Sequence, residues 1–528
     1  MRLCERMRVT MKSMLLTLLG LVGAALNLSA AKPNVVFILA DDLGYGDLSC
    51  NNADGKINTP HLDRIASEGI RFTDAHSGSA VCTPTRYGVI TGRYSWRSRL
   101  KRGVLGGSSD HLIDTERYTV ADLMKGQGYH TAMIGKWHLG WDFQFKEGAA
   151  NDGIVGVGKK NKRLIDYSKP VANGPDALGF DYYYGHCGSL DMDPYVYVEN
   201  GKVTAAPNRI TINKDYKGFW REGPTGADFE HLQVTPNFVN RAIDYIDERS
   251  KTAKPFFLYL PLPSPHTPIL PLKEFQGKSG TNGYGDFVQQ VDWHIGQVMD
   301  ALKRNGVAEN TLLIFTSDNG CSPRAVFEEL DAVGHKPGAV YRGHKADIYE
   351  AGHRVPFVAH WPEGIRKTGK SDATICLTDL LATVAEITSA QTPANAGEDS
   401  VSFLPALKGK SGQVREATIH HSINGSFAIR KGDWKLALCP GSGGWSYPRP
   451  ADTKKMDLPP IQLFNLKTDP SETKNVYQSN PDKTRELYAL LKSYVEKGRS
   501  TPGPNQMNEG KTLFDPAGFD AIKAELKF

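Results

Sequence analysis

The sequence predicts an α/β protein with a largely parallel central sheet, followed by a smaller α+β domain at the C-terminus. Short, continuous apolar runs are typical of strands buried on both faces of a parallel sheet. Such runs are VVFILA (residues 35–40), FFLYLPL (256–262) and LLIF (312–315). Helical patterns alternate with them as far as about residue 390, which favours a parallel sheet. After residue 408, short strand-like runs and one helical segment replace this alternation.

The first 31 residues have the three-part pattern of a secretory signal peptide. Arg2, Arg6, Arg8 and Lys12 precede the apolar run MLLTLLGLVGAALNL, and small residues follow it. The apolar run is short and interrupted by glycine, which is not typical of a membrane-spanning helix. We therefore expect a cleaved signal peptide, a mature protein that is secreted or periplasmic, and no stable membrane insertion.

The charge and the cysteine content limit the partners that the mature protein could have. Cleavage removes four cationic side chains and Glu5 from a formal net charge of +5, which leaves about +2. A balance so close to neutral argues against a nucleic-acid partner. The remaining cysteines show neither a metal-binding spacing nor a dense disulfide framework, although one or two disulfides stay open. They are Cys50, Cys82, Cys187, Cys321, Cys376 and Cys439.

The helices of the first domain are predicted from periodicity and from the residues at their ends. They are HLDRIASEG (61–69), the segment that starts at Pro84 and stops at Gly92, TVADLMKGQG (119–128) and FVQQVDWHIGQVMDALKRNG (287–306). The last has an amphipathic pattern and lies between two of the buried strands. HTAMIGKW (130–137) is predicted as a further strand.

These patterns divide the chain into four parts. The signal peptide covers residues 1–31, the main α/β domain residues 32–408, and the C-terminal α+β subdomain residues 409–500. In the subdomain, SFAIRKGDWKLAL and IQLFNLKTD predict short strands, and DKTRELYALLKSYVEKG predicts a helix. Residues 501–528 mix proline, glycine and charge, and we expect a loosely held tail there.

Acidic and amide side chains directly follow two of the predicted buried strands. Asp41 and Asp42 follow the first strand, and Asp318 and Asn319 follow the third. Ligands of open α/β sheets collect beyond the carboxyl ends of the strands, and oxygen donors favour Ca²⁺ or Mg²⁺ over zinc. Each pair alone could instead cap a turn, as DDLG and SDNG can do. Two pairs of the same kind favour a metal site.

Four basic side chains are further candidates for a functional site. Lys136 and His138 are two residues apart at the end of a predicted strand, so we expect them to point the same way. His266 lies in the proline-stiffened loop PSPHTP, and Lys345 lies in YRGHKADIYE. Taken singly, each of them is better interpreted as a solvated or hydrogen-bonded structural side chain, because a lone lysine or histidine usually has that role.

Cys82 stands in VCTPTR, before a predicted helix. Pro84 suits the first turn of a helix, so Cys82 is expected at the helix N-terminus, which attracts anions. Arg86 adds a fixed cation one turn further on. The alternatives are a buried structural cysteine and a nucleophile of the cysteine-protease kind. The second alternative lacks a recognisable His/Asn partner set and leaves the acidic strand ends unexplained.

With these motifs together, the sequence resembles the type I, formylglycine-dependent sulfatases, among them arylsulfatases and N-acetylgalactosamine sulfatases. Their signature is C-x-P-S-R, and here it is CTPTR from Cys82 to Arg86, with Thr85 where the family usually has serine or alanine. Further blocks match in the same order from residue 32 to residue 495. They are PNVVFILADDLGYGDL, GYHTAMIGKWHLG, FFLYLPLPSPHTP, LLIFTSDNG, YRGHKADIYEAGHRVP, FAIRKGDWKL and LFNLKTDPSETKN.

The resemblance implies an alkaline-phosphatase-like fold, a catalytic domain over residues 32–408 and a Ca²⁺ cofactor. Cys82 would be oxidised to formylglycine by a formylglycine-generating enzyme, which makes that enzyme a partner. The side chains that would hold Ca²⁺ are those of Asp41, Asp42, Asp318 and Asn319, together with the modified residue 82. The substrate would be a sulfated glycan or a small sulfate ester.

The resemblance also implies roles for the basic residues. Arg86 would steady formylglycine, and Lys136 would bridge it and the sulfate. His138 would remove a proton from the aldehyde hydrate. His266 and Lys345 would face the sulfate and the leaving oxygen, and Ser189 would contact the sulfate.

Chemistry explains why an aldehyde hydrate suits this reaction better than a thiol. A thiolate that attacked a sulfate ester would end as a stable S-sulfonated cysteine. A hydrate has two hydroxyls, so one attacks sulfur and the other, once deprotonated, expels sulfate. The resemblance implies a sulfuric ester hydrolase, and we expect it to act on a sulfated carbohydrate, a polysaccharide or its oligosaccharide fragments. The alternatives are an aryl sulfatase, a phosphate or phosphonate monoester hydrolase, and a non-catalytic glycan-binding relative.

Overall fold

The structure is a computed structural model that describes residues 32–146, 165–512 and 514–527. The predicted signal peptide lies outside these ranges. From Asn34 onward the chain forms one compact unit. Within the described ranges, none of the helices has the length and apolar character needed to span a bilayer.

Eighteen strands are present in the described ranges. They are β1 (Asn34–Ala40), β2 (Ile70–Phe72), β3 (Ala75–His76), β4 (His130–Lys136), β5 (Tyr182–His186), β6 (Val198–Glu199), β7 (Lys202–Val203), β8 (Pro207–Asn213), β9 (Trp220–Gly226), β10 (Phe256–Pro261), β11 (Thr311–Ser317), β12 (Phe357–His360), β13 (Gly369–Ser371), β14 (Ile375–Cys376), β15 (Thr418–His421), β16 (Phe427–Lys431), β17 (Trp434–Ala437) and β18 (Gln462–Asn465).

The α-helices of the same ranges are α1 (Pro60–Glu68), α2 (Cys82–Thr91), α3 (Val120–Gly126), α4 (Val234–Arg249), α5 (Gly283–Arg304), α6 (Phe327–Ala332), α7 (Glu350–His353), α8 (Leu380–Thr388), α9 (Leu404–Leu407), α10 (Pro450–Thr453), α11 (Pro481–Glu496) and α12 (Phe519–Leu526). Helix α2 ends at Gly92, whose positive φ of 64° is the left-handed conformation that glycine adopts at little cost.

The central sheet has ten strands in the order β13-β2-β12-β11-β1-β10-β4-β5-β6-β7. Five consecutive strands of this sheet, from β11 to β5, run parallel to one another. The carboxyl ends of these strands therefore lie along one edge of the sheet. This arrangement confirms the predicted α/β class and places the segments that follow β1, β11, β4, β10 and β5 near one another.

Strand β1 explains why its sequence is apolar at every position. Val35, Phe37 and Leu39 pack in the core on one face of the sheet. Val36, Ile38 and Ala40 pack in a second core on the opposite face. Both faces are covered by helices, so a continuous apolar run, rather than an alternating one, is what the position requires.

The C-terminal part has an antiparallel sheet in the order β15-β16-β17-β18, which confirms the predicted smaller α+β domain. Helix α11 covers this sheet through Leu487 and Leu491. The tail differs from the loosely held segment that the sequence suggested. Phe519, Ile522 and Leu526 of helix α12 are buried in the same core, because their spacing of three and four residues forms one apolar stripe.

Candidate active site

The site lies where the parallel strands end. Asp41 and Asp42 follow β1, and Asp318 and Asn319 follow β11, its hydrogen-bonded neighbour. Lys136 is the last residue of β4, and Ser189 lies just beyond β5. His266 follows β10, and Cys82 and Arg86 are brought in by helix α2. The structure thus brings together the residues that the sequence predicted from separate motifs.

Three buried carboxylates form the centre of this site. The backbone N–H of Asp42 donates to Asp318 Oδ1 at 3.2 Å, and Asn319 Nδ2 donates to Asp42 Oδ1 at 2.7 Å. One carboxylate oxygen each of Asp41 and Asp318 and the sulfur of Cys82 lie within 4.8 Å of one another. Like charges at such distances repel, so cationic groups must surround them.

Three buried cations surround the carboxylates. Arg86 donates from Nε and Nη2 to Asp318 Oδ2 at 3.1 and 2.7 Å. Lys136 Nζ donates to Asp41 and, at 2.7 Å, to Ser189 Oγ. Lys345 Nζ donates to Asp42 at 2.7 Å. Each carboxylate therefore has at least one cationic partner, which is the condition under which buried charges persist.

The pKa values of the two aspartates and the thiol of this cluster are shifted in different directions. Burial raises the pKa of Asp318 to about 7, and repulsion from Asp41 acts in the same direction. Burial alone would also raise the pKa of Asp41, but Lys136 and its other cationic neighbours lower it overall. Burial raises the pKa of Cys82 despite the nearby lysines. An unmodified Cys82 is therefore a neutral thiol, which is a weak nucleophile.

The position of His138 is set by a backbone conformation that the sequence did not predict. Strand β4 ends at Lys136, and His138 has a positive φ of 54°, so strand alternation does not set its direction. Its Nε2 contacts the carbonyl of Leu105 at 2.8 Å, and the Leu105 N–H donates to Thr83 Oγ1 at 3.2 Å. We expected His138 to point the same way as Lys136 because both would lie on one strand. That reason was wrong, since His138 lies beyond the end of the strand.

The contact with the Leu105 carbonyl determines which ring nitrogen of His138 can accept a proton. A carbonyl only accepts, so Nε2 carries the hydrogen and the neutral ring has its lone pair on Nδ1. Burial and the charge of Lys136 lower the pKa of His138 well below its usual value. Nδ1 is buried and has no hydrogen-bond partner among the described residues.

His266 and Lys345 stand where the buried cluster meets a cavity. His266 Nε2 lies 3.5 Å from Asp42 Oδ2, and its Nδ1 contacts the carbonyl of Thr267. Burial and the charge of Lys345 lower the pKa of His266. Both side chains line a cavity of about 730 Å³. A substrate would reach the cluster through this cavity.

Two residues of the site have strained backbones. Asp42 has φ of 65° and His138 has φ of 54°, a region that side chains other than glycine rarely adopt. Strain of this kind persists where surrounding contacts fix the conformation, and it is concentrated at functional sites. At Asp42 the hydrogen bonds to Asp318 and Asn319 provide such contacts.

A supporting layer behind Asp42 was missed by the sequence analysis. Tyr284 Oη donates to the Asp47 carboxylate and also lies 3.1 Å from the Asp42 carbonyl oxygen. His335 Nε2 contacts Asp47 Oδ1 at 2.8 Å. The aspartate of the GYGD segment was the only signal, because its partners lie more than 230 residues away in sequence.

The donor set fits a hard divalent cation. Oδ1 of Asp41 and Oδ1 of Asn319 are buried and, in the described ranges, have no hydrogen-bond partner. Buried oxygens without partners are costly, and a cation would satisfy both. Three carboxylates and an amide oxygen are the ligands that Ca²⁺ takes. Burial raises the pKa of Asp318 to about 7, and repulsion from Asp41 adds to this, so a cation bound between the two carboxylates would stabilise both in their charged form.

Buried carboxylates paired with buried cations thus lie together at the carboxyl ends of the parallel strands. The sulfatase family model matches residues 33–390, and the chain belongs to the sulfatase family. It is 36% identical over 508 residues to the N-acetylgalactosamine-6-O-sulfatase of Bacteroides thetaiotaomicron, which covers 88% of this chain and 93% of that protein. With arylsulfatase A of Homo sapiens it shares 30% identity over 94% of each chain.

Solved structures agree with this assignment. One, described as part of the metabolism of multiple glycosaminoglycans by Bacteroides thetaiotaomicron, has a TM-score of 0.75 and 34% identity, and covers 88% of this chain and 99% of that chain. Ps i-CgsB in complex with k-i-k-neocarrahexaose has a TM-score of 0.67 at 23% identity, over 94% of this chain and 97% of that chain, and shares the fold. The chain is therefore a sulfatase enzyme with an alkaline-phosphatase-like fold.

The six cysteines from Cys50 to Cys439 are all free in the described ranges. The disulfides that the sequence left open do not form there. Cys82 is the only one of the six whose sulfur belongs to the carboxylate cluster of the described structure. The catalytic interpretation of Cys82 therefore has a geometric basis that the other five lack.

Proposed function

We propose that the protein removes the 6-O-sulfate of N-acetylgalactosamine in a sulfated glycan, using formylglycine made from Cys82 and a Ca²⁺ ion. The observation that carries the proposal is the buried cluster in which Cys82 meets Asp41 and Asp318. Arg86, Lys136 and Lys345 pair with the carboxylates around it. The choice of sugar rests on the relative from Bacteroides thetaiotaomicron.

The cofactors would be held by residues already in contact. Asp41, Asp42, Asp318, Asn319 and the modified residue 82 would hold Ca²⁺. A bound Ca²⁺ would supply positive charge that stabilises a transferred sulfuryl group. Formylglycine would supply a hydrate, whose two hydroxyls suit it to covalent catalysis with release of sulfate.

The cationic side chains bind and orient the sulfate. Lys136 is buried between Asp41 and Ser189, and Lys345 reaches the cluster from the cavity side. Fixed cations that need no rearrangement stabilise charge that develops on a transferred group, commonly by about 3–4 kcal/mol per donor. Arg86 fixes Asp318 and, through Nη1, the carbonyl of Lys136 at 2.9 Å.

The two histidines hold and move protons at defined atoms. His138 has its acceptor at Nδ1, which is buried and has no hydrogen-bond partner among the described residues. The Thr267 carbonyl accepts from Nδ1–H of His266, so Nε2 is the atom of His266 that takes or gives a proton. Nε2 lies near the cavity, where a leaving sugar oxygen would be protonated.

The proposal is tested with protein in which the mass of the Cys82 peptide has been determined. Wild type carrying the aldehyde should release sulfate from N-acetylgalactosamine 6-sulfate, and Cys82→Ala should lose this activity by at least about 10³-fold. Cys50→Ala is the control, because Cys50 lies outside the cluster.

Three results would contradict the proposal. Retained activity in Cys82→Ala would show that residue 82 does not provide the nucleophile. Faster hydrolysis of the matched 6-phosphate would favour a phosphate ester hydrolase, and hydrolysis of aryl sulfates alone would favour an aryl sulfatase.

A further inference from the structure

The cavity beside His266 and Lys345 is larger than a single sulfate group would need. Its volume of about 730 Å³ is in the range of pockets that enclose a whole organic ligand. The lining comes from two distant parts of the chain. Tyr216 and Arg324 belong to the catalytic region, and Trp445, Tyr447 and Arg449 belong to the C-terminal region. We call this distal part of the cavity the outer cleft.

Three aromatic rings of the outer cleft are open to solvent. Tyr216 is 57% exposed, Trp445 is 40% exposed and Tyr447 is 67% exposed. Large exposed rings grouped at one cavity mark a binding surface. Tyrosine and tryptophan combine an apolar face with a polar edge, which suits the C–H faces and hydroxyls of a sugar ring.

Two arginines of the outer cleft are free to bind an anion. Arg324 lies 4.5 Å from the Tyr216 ring and donates to the Tyr216 carbonyl, and Arg449 Nε donates to the Trp445 carbonyl at 2.9 Å. Among the described residues, neither has a carboxylate within ion-pair distance. Arg221 of the same cavity is different, because Asp191 pairs with it.

The C-terminal loop of the outer cleft is fixed to the catalytic loop. The backbone N–H groups of Trp445 and Ser446 donate to Asp347 Oδ1 at 2.7 and 3.0 Å. Asp347 is two residues beyond Lys345. At Gly444 a Cβ atom would lie 2.4 Å from the Ala346 carbonyl, so the two loops approach as closely as glycine allows. The rings and Arg449 are therefore positioned relative to Lys345 before a ligand binds.

We propose that the outer cleft binds the sugar next to the sulfated one and selects a neighbour that carries an anionic group, a carboxylate or a second sulfate. Trp445 and Tyr447 pack on the sugar ring, and Arg449 and Arg324 bind its anion. The C-terminal region thereby takes part in substrate choice. This inference rests on the proposed function, because it concerns the same substrate.

Three probes separate the contributions of ring and charge. They are N-acetylgalactosamine 6-sulfate, the same sugar linked to glucuronate, and that disaccharide with its carboxylate converted to the methyl ester. Sulfate release gives kcat/KM for each. The quantity compared between variants is the ratio of kcat/KM for a disaccharide to kcat/KM for the monosaccharide.

We expect Arg449→Ala to lower this ratio about tenfold for the glucuronate disaccharide and to leave it nearly unchanged for the ester. Trp445→Ala should lower the ratio for both disaccharides. Trp293→Ala is the matched control, since Trp293 is 41% exposed and lies on α5, away from the cavity. Arg366→Ala is the second control. Arg366 follows β12, which runs antiparallel to β11 and so ends at the opposite edge of the sheet.

The outcomes distinguish the two proposals. If wild type releases no sulfate from any of the probes, the proposed function is wrong and this inference falls with it. If wild type is active but both cleft variants keep the ratios of the controls, the inference alone is wrong. An equal effect of Arg449→Ala on the acid and on the ester would also overturn the charge selection.

Discussion

The two histidines of the site have opposite ring nitrogens committed to backbone carbonyls. His138 uses Nε2 for Leu105, and His266 uses Nδ1 for Thr267. The atom left for chemistry is thus Nδ1 in the first and Nε2 in the second. The His138 nitrogen is buried and has no hydrogen-bond partner among the described residues, while His266 lines the cavity. In the proposed function, His138 is the base that acts at residue 82 and His266 is the acid that acts on the leaving group.

This separation predicts a leaving-group dependence for His266. His266→Ala should reduce kcat on a sugar sulfate by about 10²–10⁴-fold, because a sugar alkoxide needs a proton as it leaves. On 4-nitrophenyl sulfate, whose leaving group is a stable anion, the loss should be far smaller. Steady-state kinetics on both substrates checks the difference. Equal losses on both would refute the role of acid, while His138→Ala, as a comparison, should affect both substrates alike.

Metal binding at the carboxylates predicts a change in stability that does not depend on activity. Ca²⁺ added to chelator-treated protein should raise the unfolding temperature. At a Ca²⁺ concentration of 100 times Kd, the free energy of unfolding should increase by about 2.7 kcal/mol. Asp318→Asn should lose most of this shift. Asp399→Asn is the matched control, because Asp399 is also buried and paired with an arginine, Arg97, away from the cluster. An unchanged shift in Asp318→Asn would contradict the assignment of this ligand.

The strand-end residues could be predicted from sequence because their positions follow from local patterns. Asp41 and Asp318 directly follow strands β1 and β11, whose short apolar runs favour buried strands. The direction of His138 could not be predicted, since it depends on one left-handed residue beyond β4. The contacts of Asp47 were equally hidden, because Tyr284 and His335 approach it only in the folded chain.

Among the elements, those with a strong pattern were predicted and those set by tertiary context were not. The four buried strands β1, β4, β10 and β11 follow apolar runs, as expected. Strand β12 has four residues between prolines, and no sequence pattern shows that it runs antiparallel to β11. The hairpin of β8 and β9 was missed although β8 alternates between half-buried and exposed residues, which is the pattern of a surface strand.

Gly135, the residue before Lys136 in strand β4, lies so close to strand β10 that no side chain fits there. Gly135 has φ of 136°, and an added Cβ would lie 2.0 Å from the Pro261 carbonyl on β10. Gly135→Ala should therefore lower the free energy of unfolding by about 2–4 kcal/mol and reduce activity by displacing Lys136. Gly126→Ala in α3 is the control, since a Cβ there has no atom within 4 Å and should be neutral or slightly stabilising. Urea unfolding of both variants makes the comparison, and equal stabilities would contradict it.

At the scale of the molecule, the two sheets are joined by a buried polar cluster. His420 of β15 stacks on His353 at 3.8 Å between ring centroids and contacts the Ser77 carbonyl at 2.9 Å. His76 lies against both rings. The charged groups facing these histidines are Asp74, Glu350, Arg354, Arg430, Lys435 and Glu472. Sequence composition divided the chain at residue 408, but this cluster makes the two parts one compact unit, and no local pattern could have indicated it.

The joining cluster predicts how stability depends on pH. Burial lowers the pKa of His76 to about 4, and burial, His76 and Lys435 lower the pKa of His420 well below its usual value. The unfolded chain protonates both near pH 6.5, so it binds more protons than the folded state, and stability falls as pH drops from about 6.5 towards 4. His76 contributes about 2 kcal/mol of this loss at pH 5, and His420 adds a loss of the same sign. Urea unfolding at pH 7 and pH 5 should show the decrease, and His420→Asn, although less stable at pH 7, should lose less stability than wild type between the two pH values. The same decrease in wild type and variant would show that His420 is protonated equally in both states.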